Sequence, residues 1–272
     1  MVRVVKASGV VEAFDAGKLA SSIARCGVPE EEAWLLAREV EKELPGEVSS
    51  SELYARTLAL LREKYPACAL RYALRRGIMM LGPEGYPFEK YVARLLAKMG
   101  YSARTNVVAK GRCISHELDV VAERGSERLM VECKYHNAPG IKVDAKVALY
   151  VYARFLDLSE QFDKAWIITN TKVTEEAAAY AECVGMLVTA WRYPKVAALE
   201  ALVETYRLYP ITVLPSLSEN AKRSLLKMGI VALDDLLEAT PAALAAAGLK
   251  PGEVEAILSE VKDFLKSCLT DR

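Results

Sequence analysis

Asp119, Glu132 and Lys134 are the residues whose types and spacing could do chemistry together. They lie in His116–Ala122 and Leu129–His136, two β-prone runs around the polar stretch Glu123-Arg124-Gly125-Ser126, a pattern that predicts an antiparallel hairpin. Side chains alternate faces along a strand, so Glu132 and Lys134 point the same way and Cys133 points opposite. Asp119, on the partner strand, is near enough to share their face. Carboxylates side by side repel, and burying them is costly unless a cation compensates. A hard divalent ion, Mg²⁺ or Mn²⁺, takes carboxylate oxygens and keeps waters. With an adjacent lysine it activates water and steadies charge on a phosphate. Glu-x-Lys alone describes a solvated strand face equally well. The upstream Asp, two apolar strands and a preceding glutamate-bearing helix favour a site.

The elements that must position these groups can be read on either side. Gly82-Pro83-Glu84-Gly85-Tyr86-Pro87 is rich in turn formers and marks a boundary. Phe88, Val92, Leu95, Leu96 and Met99 then form a helical stripe ended by Gly100, with Glu89 beside Phe88. Taken alone, Glu89 is equally a solvated residue in a helix first turn. Beyond the hairpin, a helix is expected at about Asp144–Leu158, with Lys142, Lys146 and Arg154 within it. Ala165–Thr169 is an apolar strand of the kind found inside a mixed or parallel sheet. Thr171 and Thr174 with Glu175-Glu176 open another helix, and Gly185–Thr189 makes a further strand. The order predicts an α/β mixed sheet flanked by helices on both faces.

At this point the residues resemble the PD-(D/E)xK nucleases of the restriction-endonuclease-like fold, most nearly the Mrr-type and junction-resolvase branches. Asp119…Glu132-Cys133-Lys134 carries the resemblance, with Glu89 in the first helix, and Thr169–Ala177 resembles the Mrr strand-to-helix run. About 120 residues are covered. The resemblance implies that Asp119 and Glu132 hold the metal and that Lys134 positions the attacking water and steadies the phosphorane. Glu89 would assist through metal-bound water. Lys142, Lys146 and Arg154 become candidates for backbone phosphate contacts, which position DNA without reading its sequence; ordinary helix surface charge explains them equally. No Pro precedes Asp119, and His116-Glu117 stand where many Mrr-like sequences have small residues and glycine. His116 and His136 are the two histidines of the chain and bracket the motif. They read as structural or phosphate-side hydrogen bonders more readily than as metal ligands.

Upstream, Val2–Lys6 and Val10–Phe14 around Ala7-Ser8-Gly9 predict a short hairpin. Helices follow at about Ala16–Cys26, Glu30–Leu44, from near Ser50, and Ala67–Leu81. Val4-Val5-Lys6-x-x-Gly9-x-x-Glu12-x-Phe14-Asp15-x-x-Lys18-Leu19, with a terminal Tyr72…Arg75-Arg76, is similar to an ATP-cone over about 80 residues. That family is the nucleotide-sensing domain of ribonucleotide reductases and their repressor. The resemblance implies that ATP or dATP binds, with Lys6 and Lys18 on phosphates, Glu12 and Asp15 near the base or ribose, and Ser50 and Tyr54 lining the pocket. The arginine usual after the first lysine is replaced by Ala7. Gly17-Lys18-Leu19 is no Walker A loop, so binding without hydrolysis is expected. An amphipathic bundle with ordinary surface lysines is the plainer alternative.

Downstream of Tyr209-Pro210 and Leu214-Pro215-Ser216 come two helix-turn units, one around Met228-Gly229-Ile230 and one around Ala247-Gly248-Leu249. They resemble a helix-hairpin-helix pair, which grips DNA phosphates through backbone amides. Acidic residues, Asp271 among them, outnumber basic ones such as Arg272 there, so dimerisation or packing on the central domain fits equally.

The chain has 272 residues with 36 Lys+Arg and 36 Asp+Glu, so any nucleic-acid contact must come from a local patch. Six cysteines, Cys268 the last, form no Cys-x-x-Cys pair and no zinc spacing, which fits buried free thiols in a reducing compartment. No signal-peptide or membrane-spanning run is present, and a cytoplasmic protein without membrane contact is expected. The sequence therefore predicts three parts. Residues 1–81 form an α-helical bundle with a small β-hairpin that binds adenine nucleotide. Residues 82–208 form the α/β nuclease domain, and residues 209–272 a small all-α module for DNA binding or dimerisation. The expected reaction is metal-assisted phosphodiester hydrolysis in DNA by a homodimer or higher homo-oligomer. A catalytically inactive regulatory module that senses nucleotide and binds DNA or a partner is the rival.

Overall fold

A computed structural model describes the chain except Met1, Ala7, Pro139, Asp271 and Arg272, and except the side chains of residues 267–270. The departure at Ala7, the Cys268 thiol and the charges of Asp271 and Arg272 thus lie outside the described residues. The chain divides into two compact units, residues 1–74 with 259–272, and residues 75–258.

In the first unit the hairpin forms from β1 (Arg3–Val5) and β2 (Val11–Ala13), with Val4 opposite Glu12. Helix α1 (Ala16–Ala24) starts at Asp15, whose side chain accepts the Lys18 N–H at 3.0 Å. Helix α2 (Glu30–Glu43) carries three glutamates in its first turn, where the helix dipole favours them. A strand that the sequence reading did not include, β3 (Glu47–Ser49), pairs parallel to β1. Its three residues are too few to show an alternation. Helix α3 (Ser50–Lys64) is capped by the Ser49 hydroxyl, which leaves Ser50 in its first turn. Helix α4 (Pro66–Met79) follows. Leu19, Ile23, Leu36, Val40, Val48 and Leu61 supply the buried apolar surface.

The second unit takes in the end of α4 from Arg75 and continues with α5 (Tyr86–Lys98), β4 (Ser102–Lys110), β5 (Ser115–Arg124), β6 (Glu127–Lys134), β7 (Lys142–Val143) and α6 (Ala145–Asp157). It continues through β8 (Lys164–Thr169), β9 (Lys172–Val173), α7 (Glu175–Cys183), β10 (Leu187–Thr189) and α8 (Leu199–Tyr206). The main sheet has the order β10-β8-β6-β5-β4, antiparallel from β4 to β6 and parallel from β6 to β10. Ala165 to Thr169 are all buried, as an interior strand covered on both faces requires. Val121, Met130, Ala165 and Ile167 pack with Val151 and Leu158 of α6 and Ala177 and Ala181 of α7. Helix α5 buries Phe88, Tyr91, Val92, Leu95 and Leu96 and packs on β4, β5 and β6. The mixed α/β architecture expected for the central region is therefore present. One detail differs: Lys142 is not in the helix but in β7, which pairs parallel with β9 as a separate two-stranded ribbon.

Four helices end the chain: α9 (Glu219–Lys227), α10 (Leu233–Glu238), α11 (Pro241–Ala246) and α12 (Pro251–Thr270). Gly229 and Gly248 turn the chain after α9 and α11 with φ of 80° and 90°, a conformation that glycine adopts without Cβ strain. The acids of α10 face α5: Arg94 pairs with Asp235 at 2.7 Å and Lys98 with Asp234 at 2.5 Å. The Tyr91 hydroxyl donates to the Leu208 carbonyl below them.

Among the described residues no helix is long and apolar enough to cross a membrane. Cys26, Cys68 and Cys133 are buried, but Cys113 and Cys183 are exposed, against the expectation of buried thiols.

Candidate active site

The β5–β6 ladder runs from Arg124↔Glu127 to Val120↔Val131 and stops one residue short of Asp119. There the Asp119 Oδ2 accepts the Cys133 N–H at 2.7 Å, so a carboxylate takes the place of the main-chain acceptor that β6 loses. On the other side of β5, Asn106 interrupts the β4 ladder between Thr105↔Val120 and Val107↔Leu118. Its φ of 54° is a left-handed conformation that asparagine tolerates better than most residues. Strand β6 meanwhile stays paired to β8 as far as Lys134↔Thr169. The sheet thus parts at Asp119 while Glu132 and Lys134 are held firmly.

Glu132 is 4% exposed and uses both carboxylate oxygens. Oε1 accepts from Lys134 Nζ at 2.6 Å, and Oε2 accepts from Arg154 Nη1 at 2.5 Å. The second Arg154 amine donates to the Glu117 carbonyl. Arg154 is therefore no surface cation free for DNA phosphate. It is buried on α6 and joins that helix to both strands of the hairpin.

Among the described residues, Glu89 and Asp119 sit in the same field with no ion pair of their own. Burial pushes the Glu89 carboxyl up to about 7, with repulsion from Asp119, Glu117 and Glu132 adding to it and Lys134 opposing. Burial likewise pushes Asp119 up to about 6, and Glu132 adds to this. The Cys133 N–H, Lys134 and Arg154 hold it lower than it would otherwise be. Burial pushes the Cys133 thiol well up, so it is no nucleophile.

The histidines have structural partners. His116 Nε2 lies 2.8 Å from Asp157 Oδ2, and Asp157 also accepts the Cys113 and Ile114 N–H groups at 2.7 and 3.2 Å. These contacts hold the Asp157 carboxyl well below the usual carboxylate range, His116 contributing most. His136 Nδ1 lies 2.8 Å from Thr171 Oγ1. Its backbone is bracketed by Asn170, which accepts its N–H and donates to its carbonyl at 2.9 Å each. Burial, and then Lys134, lower the His136 pKa, favouring the neutral ring. Lys142 and Lys146 are exposed.

Asp157, Asn170 and Thr171 were not named as site residues from the sequence. Helical spacing carried the signal for one of them. Asp144, Ala148, Val151, Arg154 and Leu158 follow one stripe, so Arg154 had to be buried, and Asp157 stands three residues beyond it.

The donor set suits a hard cation. Mg²⁺ binds through one or two carboxylates, waters and substrate phosphate rather than a full protein cage. Among the described residues no three His, Cys, Asp or Glu side chains converge as a preformed cage. Asp119 and Glu89 nonetheless repel each other and Glu132 in a partly buried space, a cost that a divalent cation relieves.

Residues 82–200 match the restriction endonuclease family model, and residues 209–265 match the model described as AF1548-like, C-terminal. An uncharacterized protein of Archaeoglobus fulgidus is 42% identical over 175 residues, which are 64% of this chain and 99% of that protein. The chain belongs to that protein's family. A crystal structure of a protein of unknown function, AF1548, is 40% identical, covers 68% of this chain and 100% of that one, and has a TM-score of 0.58. The MspJI restriction endonuclease in complex with a 27-mer oligonucleotide is 15% identical, with a TM-score of 0.32 over 77% of this chain and 40% of that one; at that distance it carries no weight for the site. This chain thus combines a restriction-endonuclease-like domain with an AF1548-like C-terminal domain.

In the N-terminal unit the expected nucleotide residues fall into two groups. Glu12, Asp15 and Lys18 line an open cleft of about 580 Å³ with Phe14, Trp34 and Arg38. Lys6, Ser50 and Tyr54 do not line it: Lys6 pairs with Glu12 at 3.1 Å, and the Tyr54 ring stacks on Tyr72 at 5.4 Å.

Proposed function

We propose that this chain is a DNA endonuclease that depends on Mg²⁺ or Mn²⁺ and works at Asp119, Glu132, Lys134 and Glu89. One observation carries the reading. The carboxyls of Glu89, Asp119 and Glu132 share a half-buried field with the Lys134 ammonium, inside a domain that matches restriction endonucleases. Asp119 and Glu132 would hold the ion, which when bound supplies charge neutralisation at the phosphate and a more acidic water. Lys134 is 32% exposed, so its ammonium can serve Glu132 and still reach a phosphate oxygen in the opening. Glu89, with its carboxyl near 7, is in range to take the proton of the attacking water. Cutting both strands of a duplex takes two such sites, which a homodimer would supply.

We also infer that the N-terminal unit binds ATP or dATP without hydrolysing it. Trp34 offers a stacking face and Lys18 offers charge to phosphates in the cleft beside the β1–β2 hairpin, where Arg38 is paired with Glu41 at 2.7 Å. The two glycine turns of the C-terminal module would add backbone amides for DNA phosphates.

A second reading, a DNA-binding module that does not cut, is favoured by one observation: both oxygens of Glu132 are already taken by cations. Cleavage of supercoiled, methylated, branched and single-stranded DNA, with each ion and with or without ATP or dATP, separates the two. Cutting that EDTA abolishes is expected. No cutting of any form with either ion would leave the second reading standing.

A further inference from the structure

Strands β7 and β9 follow directly from the site, because β6 ends at Lys134 and β8 at Thr169, the last pair of their shared ladder. Past those ends the chain forms the parallel ribbon in which Lys142 stands directly opposite Lys172 and Val143 opposite Val173. Val143 is 1% exposed and Val173 packs on the same core. Strand alternation therefore turns both lysines outward on one face, abreast. Like charges directly opposite in a ladder repel. Neither lysine has an ion pair among the described residues, and both are exposed.

Lys146 adds a third unpaired cation. It lies in the first turn of α6, which contains no acidic residue, where the helix dipole disfavours positive charge. The nearby carboxylates have other work or other places. Asp144 caps α6 by accepting the Val147 N–H at 3.2 Å, and Glu175 and Glu176 occupy the first turn of α7. Two local electrostatic penalties, the facing lysines and Lys146 against the helix dipole, are both relieved by one polyanion at the carboxyl ends of β6 and β8.

We propose that the β7–β9 ribbon is the rail on which a DNA backbone lies, with Lys142 and Lys172 on neighbouring phosphates of one strand and Lys146 on the next. This deepens the nuclease reading by assigning where the cut strand is gripped. It explains why these lysines are left unpaired while Lys64, Lys98 and Lys164 each have a carboxylate partner.

The salt dependence of binding tests it. Affinity for a duplex oligonucleotide is measured in EDTA, so that no strand is cut, over a range of salt. The variants are Lys142→Ala/Lys172→Ala, a control Arg124→Ala/Lys164→Ala that removes the same charge at the opposite end of the β5, β6 and β8 ladder, and Lys142→Arg/Lys172→Arg. Each phosphate contact contributes about 0.9 to the slope of log affinity on log salt, so the ribbon double should flatten it by about 1.8. The control and the Arg double should keep the wild-type slope. An unchanged slope in the ribbon double, or an equal fall in the control, overturns the proposal. Cleavage by the wild type is scored separately. A wild type that cuts with a ribbon-independent slope loses the rail and keeps the nuclease. One that binds through the ribbon and never cuts loses the nuclease and keeps the rail.

Discussion

Arg154 Nη1 lies 2.5 Å from Glu132 Oε2, in an ion pair whose side chains are 9% and 5% exposed. The pair fastens α6 to the strand that bears the candidate site. Removing one member of a buried pair leaves an uncompensated charge, which costs more than the pair itself is worth. Arg154→Met should lower stability by about 3 kcal/mol, and Arg154→Met/Glu132→Gln by less. Urea unfolding of the singles and the double gives the cycle. A double no more stable than Arg154→Met alone would show that the charge of Glu132 is not what Arg154 compensates.

The raised carboxyls make stability pH-dependent with a definite sign. Glu89 is pushed from 4.5 to about 7 and Asp119 from 3.8 to about 6, so the folded state binds protons more tightly than the unfolded chain. Their stabilising contribution is complete below about pH 4 and is lost as pH rises through 6 and 7. In metal-free buffer, Asp119→Asn should raise Tm at about pH 8 by a few degrees, and the gain should vanish near pH 4. Thermal melts at both values check this. An equal gain at both would mean that ionisation is not the cause.

Divalent cation competes with those protons, so its stabilising effect should grow with pH. Melts in Mg²⁺ and in EDTA should differ more near pH 8 than near pH 5, and Asp119→Asn should remove most of the difference. A shift of the same size in the variant would move the ion elsewhere.

Asp157 has the opposite sign. Its carboxyl is held low by His116 and by the Cys113 and Ile114 N–H groups, so the stability it lends is present above the unfolded value and lost as pH falls through the folded one. Asp157→Asn should cost most at neutral pH, and its deficit should shrink below about pH 4 in urea melts. A constant deficit would assign the loss to packing alone.

The hairpin was legible because two β-prone runs flank a polar turn, and Val131–Tyr135 alternates apolar with polar residues, which fixes which side chains share a face. Glu132 beside Lys134 follows from that alternation, and the interior strand Ala165–Thr169 from an unbroken apolar run. What the sequence hid is non-local. The β5–β6 ladder ends beside Asp119, and opposite Asp119 on β4 stands Asn106, thirteen residues earlier, in a left-handed conformation. The ribbon strands have two residues each, so Lys142 read as part of the helix after it. Arg154 was taken for a surface cation by residue type, although its place in the stripe of α6 already required burial and hence a partner.

Nicking of supercoiled plasmid in Mg²⁺ by wild type, Asp119→Asn and Lys134→Ala tests the candidate site most directly. Wild type should nick, and each variant should lose at least about a hundredfold in rate, the scale of removing one group that stabilises transition-state charge. Variant rates within about threefold of wild type, or nicking by wild type that persists in EDTA, would contradict the assignment.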